Sequence, residues 1–140
     1  MISTEDKIAI GELVARFCHY SDFGEWEKLA SLYTPDIVTE MDGIPFGYEG
    51  IEQQVAHARE SDLRTEGSNR HYCFNLVVED DGEGGAVANY MFMNVNAGKQ
   101  RLEARIVVTG RHVDRVVKVD GEWKFKRRRV IFDQSFDLDF

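Results

Sequence analysis

The sequence from residue 69 onward contains four long runs typical of β-strands, and it contains no proline. Each run is rich in β-branched and aromatic residues, and glycine-containing stretches typical of hairpin turns separate them. Proline removes a donor from a strand ladder, so its absence suits long paired strands. We therefore expect antiparallel strands over residues 69–80, 86–96, 101–119 and 122–134. Strands of this length must twist and curl strongly.

The first 68 residues favour helices instead. A stripe of apolar residues at helical spacing follows a capping Ser3 or Thr4, and Gly24 is a plausible stop. The stripe consists of Ile10, Leu13, Val14 and Phe17. A short second helix begins near Trp26 and ends before Pro35, which cannot continue a helix. Residues 37–41 predict a short strand, residues 46–48 a strand pairing back on it, residues 51–60 a third helix and residues 63–68 a loop.

Helices followed by a run of antiparallel strands predict an α+β domain, in which the helices pack on one face of the sheet. A strongly bent antiparallel sheet with three N-terminal helices in its hollow is cone-shaped and encloses a pocket. A chain of 140 residues is the size of one domain, so we expect residues 1–140 to form a single domain.

Charge and cysteine content argue against several classes of protein. The net charge of −8 argues against a nucleic-acid partner, because phosphate binding requires a basic surface. Cys18 and Cys73 have no neighbouring cysteine or histidine at metal-ligand spacing, so disulfide and zinc interpretations are weak. The first residues contain no basic start and no long apolar run, which predicts a cytoplasmic protein without a membrane span.

His71 is the candidate for acid–base chemistry, because an imidazole titrates near neutral pH. Strand alternation places it with Cys73, Asn75 and Val77 on one face, opposite a more apolar face. A half-buried strand would therefore turn His71 toward solvent. A sheet covered on both faces would instead leave His71 lining a cavity.

Asp22 is the candidate partner, since a carboxylate beside an imidazole fixes its tautomer and stabilises its protonated form. The alternative for Asp22 is a cap on the second helix. Tyr20 could point inward with a free hydroxyl, one turn beyond Phe17. His19 and His57 lie on polar helix faces, where we expect them to be solvated.

The third long strand offers two further candidates. Its even-numbered residues are apolar from Leu102 to Val108 and continue to His112 and Asp114, which could project into the interior or mark the end of the core. In the basic run at residues 124–129, the alternatives are a solvated or ion-paired strand and one arginine turned inward to hold an anion. Asn94 lies near a turn, where asparagine usually serves turn geometry.

Four segments together resemble the SnoaL-like branch of the nuclear transport factor 2-like superfamily. They are DFGEW, KLASLYTPDIV, RHYCFN and GRHVDRVVKVDGEWKFKRR. The resemblance implies a cone-like, cystatin-like α+β barrel with a deep apolar pocket, usually dimeric. The superfamily includes scytalone dehydratase, hexachlorocyclohexane dehydrochlorinase, bile acid dehydratase, ketosteroid isomerase and polyketide cyclases, and also non-catalytic small subunits of dioxygenases.

The resemblance also implies roles for individual residues. It places the catalytic histidine at His71, its partner at Asp22 and the dehydrochlorinase arginine at Arg128. Pocket positions of the dehydrochlorinase fall on Val108 and His112. Two tyrosines of the scytalone enzyme are replaced, by Ser21 with Tyr20 one place away, and by Met41, so scytalone itself is not the expected substrate.

These observations predict a cofactor-free, metal-free lyase or isomerase acting on a hydrophobic cyclic molecule such as a polyketide, aromatic or steroid-like compound. The alternative is a non-catalytic binding protein or accessory subunit. The expected catalytic residues are His71, Asp22, Tyr20 and Arg128. The expected substrate-binding residues are Phe17, Trp26, Met91, Asn94, Val108 and His112. We also expect a homodimer formed through the open face of the sheet, with a trimer as the alternative.

Overall fold

The computed structural model of the chain describes residues 1–45, 47–98 and 103–134. Three helices and six strands lie in these ranges. The helices are α1 (Thr4–Asp22), α2 (Trp26–Ala30) and α3 (Gly50–Arg64). The strands are β1 (Tyr33–Met41), β2 (Tyr48–Glu49), β3 (Asn69–Asp80), β4 (Ala86–Asn96), β5 (Arg105–Val119) and β6 (Glu122–Phe132). No helix in the described part of the chain is long and apolar enough to cross a membrane.

The six strands form one curved, open sheet in the order β2-β1-β6-β5-β4-β3. The expected α+β class is confirmed, with α1 packed against β3 and α3 against β1. One pairing differs from the expected antiparallel pattern, because β1 runs parallel to β6. These two strands are far apart in sequence, so no short hairpin forces them to be antiparallel.

Helix α1 follows the sequence pattern closely. The Ser3 hydroxyl accepts the Asp6 backbone N–H at 3.0 Å, and the Asp6 carboxylate accepts the Ser3 N–H at 3.2 Å, which forms a capping box. The predicted stripe is buried as expected, from Ile10 to Phe17. Gly24, with φ of +69°, lies just beyond the helix end, where a left-handed residue commonly ends a helix.

Strands β3 and β4 have the predicted bounds, whereas other elements differ. Strand β1 begins at Tyr33 rather than at residue 37. It accommodates Pro35 because its pairing with β6 is irregular between Tyr33 and Val38. Helix α3 continues to Arg64, into the predicted loop. Strand β5 begins at Arg105, and residues 99–102, with the start of the predicted strand, lie outside the described residues, as does Phe46.

A bulge in β3 decides which side chains face inward. Asn75 has φ of +58°, and the pairing with β4 shifts between Phe74 and Val77. Before the bulge His71 faces inward, and after it Val77 faces outward and is 56% exposed. The simple alternation that placed Asn75 and Val77 on the face of His71 is therefore wrong beyond Phe74.

Strand β5 has its even-numbered residues buried from Val108 to Val116, as the sequence predicted. Ile106 is the exception and is 60% exposed. The β4–β5 pairing shifts between Asn94 and Val95, which changes the alternation at this end of β5. Leu102, expected on the same face, lies outside the described residues.

Candidate active site

A cavity lies between helices α1 and α3 and the concave face of the sheet. Its volume is about 120 Å³, within a hollow of about 730 Å³ that includes space open to solvent. Its apolar wall consists of aromatic and aliphatic side chains, among them Phe17, Tyr33, Met41, Phe92, Val130 and Phe132. Such a wall suits a ring-shaped hydrophobic molecule.

Asp22 and His71 meet at one side of this cavity. The Asp22 carboxylate is buried at the end of α1, and its Oδ1 lies 2.5 Å from His71 Nδ1. Its Oδ2 accepts the His71 backbone N–H at 2.8 Å. A carboxylate only accepts hydrogen bonds, so Nδ1 carries a hydrogen, and in the neutral ring the lone pair is then on Nε2. Asp22 does not cap α2, whose N-cap is Glu25.

Arg128 is turned inward and is 3% exposed. Its Nε donates to Asp114 Oδ2 at 3.3 Å, and its Nη2 donates to the Tyr90 hydroxyl at 2.8 Å. Tyr90 donates in turn to Asp114 Oδ2 at 2.5 Å. The guanidinium also lies 4.0 Å from the ring centroid of Phe17 and 4.4 Å from that of Phe125.

Arg128 and Asp114 each stabilise the charged form of the other. Burial opposes the charged form of Arg128, but Tyr90 and Asp114 raise its pKa, so it stays a cation. Burial alone would raise the pKa of Asp114, but the charge of Arg128 and the hydrogen bonds of its neighbours hold that pKa below its ordinary value. The sequence left open whether an arginine of the basic run turns inward, and Arg128 does.

His112 lies on the same wall and is 7% exposed. Its ring stacks on Tyr90 at 5.0 Å between centroids and contacts the edge of Phe92 at 4.9 Å. Its Nδ1 lies 3.3 Å from Nη2 of Arg128, which can only donate. Burial, and then the charge of Arg128, lower the pKa of His112. Burial and Arg128 therefore favour the neutral imidazole. The contact with Arg128 favours the hydrogen on Nε2, whereas Asp114 Oδ1, 3.5 Å from Nδ1, favours it on Nδ1.

Five of the residues expected at the site line the cavity, namely Phe17, His71, Asn94, His112 and Arg128. Asp22 lies directly behind His71. Val108 does not reach the cavity and is buried beside Phe92 and Val130.

Three other expected residues point elsewhere. Met91 lies on the outer face of β4 and is 48% exposed, because Tyr90 and Phe92 occupy the inward positions of that strand. Trp26 packs between the helices, with the Arg59 guanidinium 5.5 Å from its ring. Tyr20 does not line the cavity; it packs, partly buried, against the main core, with the Lys28 ammonium 5.8 Å from its ring centroid.

Sequence reasoning missed the contribution of α3. His57 was expected in solvent, but it lines the cavity mouth, and its ring centroid lies 4.2 Å from that of Tyr48. One side of His57 remains exposed, and burial of the other side lowers its pKa to about 4. Gln54, His57 and Ser61 recur at i, i+3 and i+7, the spacing of one helix face. This spacing is visible in the sequence, but the face is polar and therefore does not form an apolar stripe.

Cys18 and Cys73 also come together, with 3.5 Å between their sulfur atoms. They belong to α1 and β3, the elements that carry Asp22 and His71. Both are free thiols. The hydrogen bond with Cys18, together with burial, raises the pKa of the Cys73 thiol. Their spacing in the sequence gave no indication of this contact.

The sequence model of the SnoaL-like domain matches residues 3–129. The chain belongs to this family. The resemblance read from the four sequence segments is thereby confirmed for the SnoaL-like, nuclear transport factor 2-like branch.

Similar proteins differ in what they do. The anthranilate 1,2-dioxygenase small subunit of Burkholderia cepacia is 24% identical over 135 residues, which cover 86% of this chain and 82% of the relative. A candidate scytalone dehydratase from Novosphingobium aromaticivorans has a similar structure, with a TM-score of 0.78 and 24% identity, covering 96% of this chain and 89% of the other. ActVI-ORFA from Streptomyces coelicolor has a TM-score of 0.83 and 14% identity, covering 96% and 99%. The two structural similarities show a shared fold and nothing about activity.

Proposed function

We propose that this SnoaL-like protein is a cofactor-free lyase or isomerase, similar to dehydratases, acting on a hydrophobic cyclic small molecule. Polyketides, aromatic compounds and steroid-like compounds are the candidate substrates. The observation that carries the proposal is the 2.5 Å contact between Asp22 and His71 at the wall of a cavity whose apolar side is largely aromatic. A binding protein would need the cavity but would not need this contact.

His71 is the proposed base. Its Nε2 removes a proton from a carbon of the bound ring, and the electron pair of that C–H bond moves toward a neighbouring carbonyl. Asp22 stabilises the imidazolium that forms, because its carboxylate already accepts the Nδ1 hydrogen. Acid–base assistance of this kind contributes a factor of about 10² to 10⁴ in rate.

Removal of a proton from carbon also requires stabilisation of the developing negative charge. Arg128 is a permanent cation in the cavity wall, and His112 is a neutral N–H donor beside it. We assign both to the developing oxyanion. Tyr20, the other residue expected to be catalytic, does not line the cavity and has no role in this mechanism.

The proton on His71 then completes the reaction. In an elimination, the carbon–oxygen bond breaks, its electron pair leaves with the hydroxyl group, and His71 returns the proton to release water. In an isomerisation, His71 returns the proton to a different carbon. Either way the base is regenerated.

The second candidate function is a non-catalytic subunit, which the similarity to a dioxygenase small subunit favours. A screen of hydroxylated polycyclic, steroid and halogenated cyclic compounds separates the two functions. The enzyme converts at least one bound compound, and His71→Ala abolishes the conversion while binding stays within about tenfold. Binding of several compounds without conversion of any would favour the subunit. The cytoplasmic location and the assignment of residues 1–140 to one domain remain predictions.

A further inference from the structure

Two polar atoms in the cavity wall are buried and have no hydrogen-bond partner among the described residues. They are Ser21 Oγ and Asn94 Oδ1. Ser21 is 5% exposed. A third such atom, Asp114 Oδ1, belongs to the cluster around Arg128 and is not part of the cavity wall. Buried polar atoms are nearly always paired in native proteins, so unpaired ones in a cavity indicate a missing ligand group.

Both atoms lie next to the proposed base. Asn94 is directly opposite His71 in the β3–β4 ladder, and both side chains face the cavity. Side chains opposite each other on one face of such a ladder are neighbours. Ser21 immediately precedes Asp22, whose carboxylate holds the His71 ring. A ligand group that reaches both atoms therefore lies beside the carbon from which His71 would remove a proton.

Two other polar side chains of the cavity wall, Thr39 and Gln54, are already paired. The Thr39 hydroxyl donates to Gln54 Oε1 at 2.7 Å, and Gln54 Nε2 donates to the Tyr48 carbonyl at 3.1 Å. A ligand group therefore finds unpaired atoms on the side of His71 rather than on the side of Thr39.

The chemistry of the two atoms selects one kind of group. An amide oxygen only accepts hydrogen bonds, whereas a serine hydroxyl both donates and accepts. A single ligand hydroxyl can donate to Asn94 Oδ1 and accept from Ser21 Oγ. A halogen in place of that hydroxyl has no hydrogen to donate to Asn94 Oδ1, and it accepts from a serine hydroxyl only weakly.

We infer that Ser21 and Asn94 form a hydroxyl-binding subsite beside His71, and that the ligands of this protein are hydroxylated rather than halogenated cyclic compounds. If the ligand is a cyclic alcohol, the proposed reaction becomes loss of water from it. This part of the inference rests on the proposed function. The binding itself does not depend on any turnover.

The test uses three small bicyclic probes of one shape, 2-indanol, indane and 2-chloroindane, with dissociation constants measured by NMR titration. The measured quantity is the ratio of the 2-chloroindane to the 2-indanol dissociation constant, so differences in probe size largely cancel. Replacing Asn94→Leu or Ser21→Ala should lower this ratio by about tenfold, the effect of one to two hydrogen bonds. Indane affinity should stay within about threefold, which also shows that each variant has folded with its cavity intact.

Met41→Leu is the matched control, because Met41 lines the same cavity and the change neither adds nor removes a strong hydrogen-bonding atom. It should leave the ratio unchanged. An unchanged ratio in both the Ser21 and the Asn94 variants would overturn the inference, since the two atoms would then be bound to water. Failure of all three probes to bind would overturn it as well. None of the probes has a carbonyl group, so neither outcome depends on whether His71 is a base.

Discussion

The Asp22 carboxylate accepts two hydrogen bonds from one residue, the backbone N–H of His71 at 2.8 Å and its ring Nδ1 at 2.5 Å. The end of α1 is thereby fixed to the start of β3. Position and tautomer of the imidazole therefore depend on the same carboxylate. If His71 is the base, Asp22 must matter for the reaction although it does not itself touch the substrate.

We expect Asp22→Asn to lower turnover of a converted substrate by about 10² or more, because an amide does not support imidazolium as a carboxylate does. The ¹⁵N chemical shifts of His71 should also change from those of the Nδ1–H tautomer toward a mixture. Glu25→Gln is the control, since Glu25 is a carboxylate three residues along the chain that pairs with Lys28 near the surface. Equal turnover in both variants would show that Asp22 is not the partner of the base.

Neighbouring arginines of β6 should differ sharply in their effect on stability. Arg128→Met leaves the buried Asp114 without its charge partner, and we expect the free energy of unfolding to fall by about 3–5 kcal/mol. Arg129→Met removes an exposed ion pair with Asp42, for which a much smaller loss is expected because solvent screens it. Urea unfolding of both variants measures the difference. Similar losses would mean that the Arg128 cluster is open to solvent.

The sequence predicted much of this fold, because the burial patterns are regular. The stripe of α1 and the even-numbered face of β5 each follow one period, and the structure buries both. The sequence-based prediction was wrong where one residue changes the alternation of a strand. Asn75 does so in β3, and the pairing shift after Asn94 does so in β5, where it leaves Ile106 exposed. A bulge depends on the neighbouring strand, which a local pattern does not contain.

Part of the candidate site could also be predicted from the sequence. His71 and Arg128 stand in segments that the family resemblance covers. The contribution of α3 was not found, because His57 lies on a mostly polar helix face with Gln54 and Ser61. The contact between Cys18 and Cys73 joins residues 55 apart, and only the packing of α1 on β3 brings them together.

Stability should depend on pH through His112. The folded protein lowers its pKa below the ordinary 6.5, so between the two values the unfolded chain binds a proton that the folded protein does not. The free energy of unfolding should therefore fall as the pH drops below about 6.5. His112→Gln should flatten this dependence below about pH 7. His57 acts in the same direction, so some dependence should remain.

The outer face of the sheet carries exposed apolar residues, which supports the predicted homodimer. Phe74 and Met91 pair directly across β3 and β4 and are 43% and 48% exposed. We expect sedimentation velocity to show a dimer at micromolar concentration and Phe74→Asp to shift it toward monomer. Ile8→Asp, on an exposed position of α1, should leave the dimer intact. A wild-type monomer would contradict the prediction, and a trimer would support the alternative.

The most direct test of proton abstraction by His71 needs no knowledge of the natural substrate. The exchange of the proton next to the carbonyl of 1-indanone for deuterium can be followed by NMR in D₂O, with binding of the ketone measured in parallel. Wild-type protein should accelerate the exchange over buffer by about 10² or more, and His71→Ala should return it to the buffer rate while binding 1-indanone within about tenfold. An unchanged exchange rate in His71→Ala, or a wild-type protein that binds 1-indanone without accelerating exchange, would contradict the account.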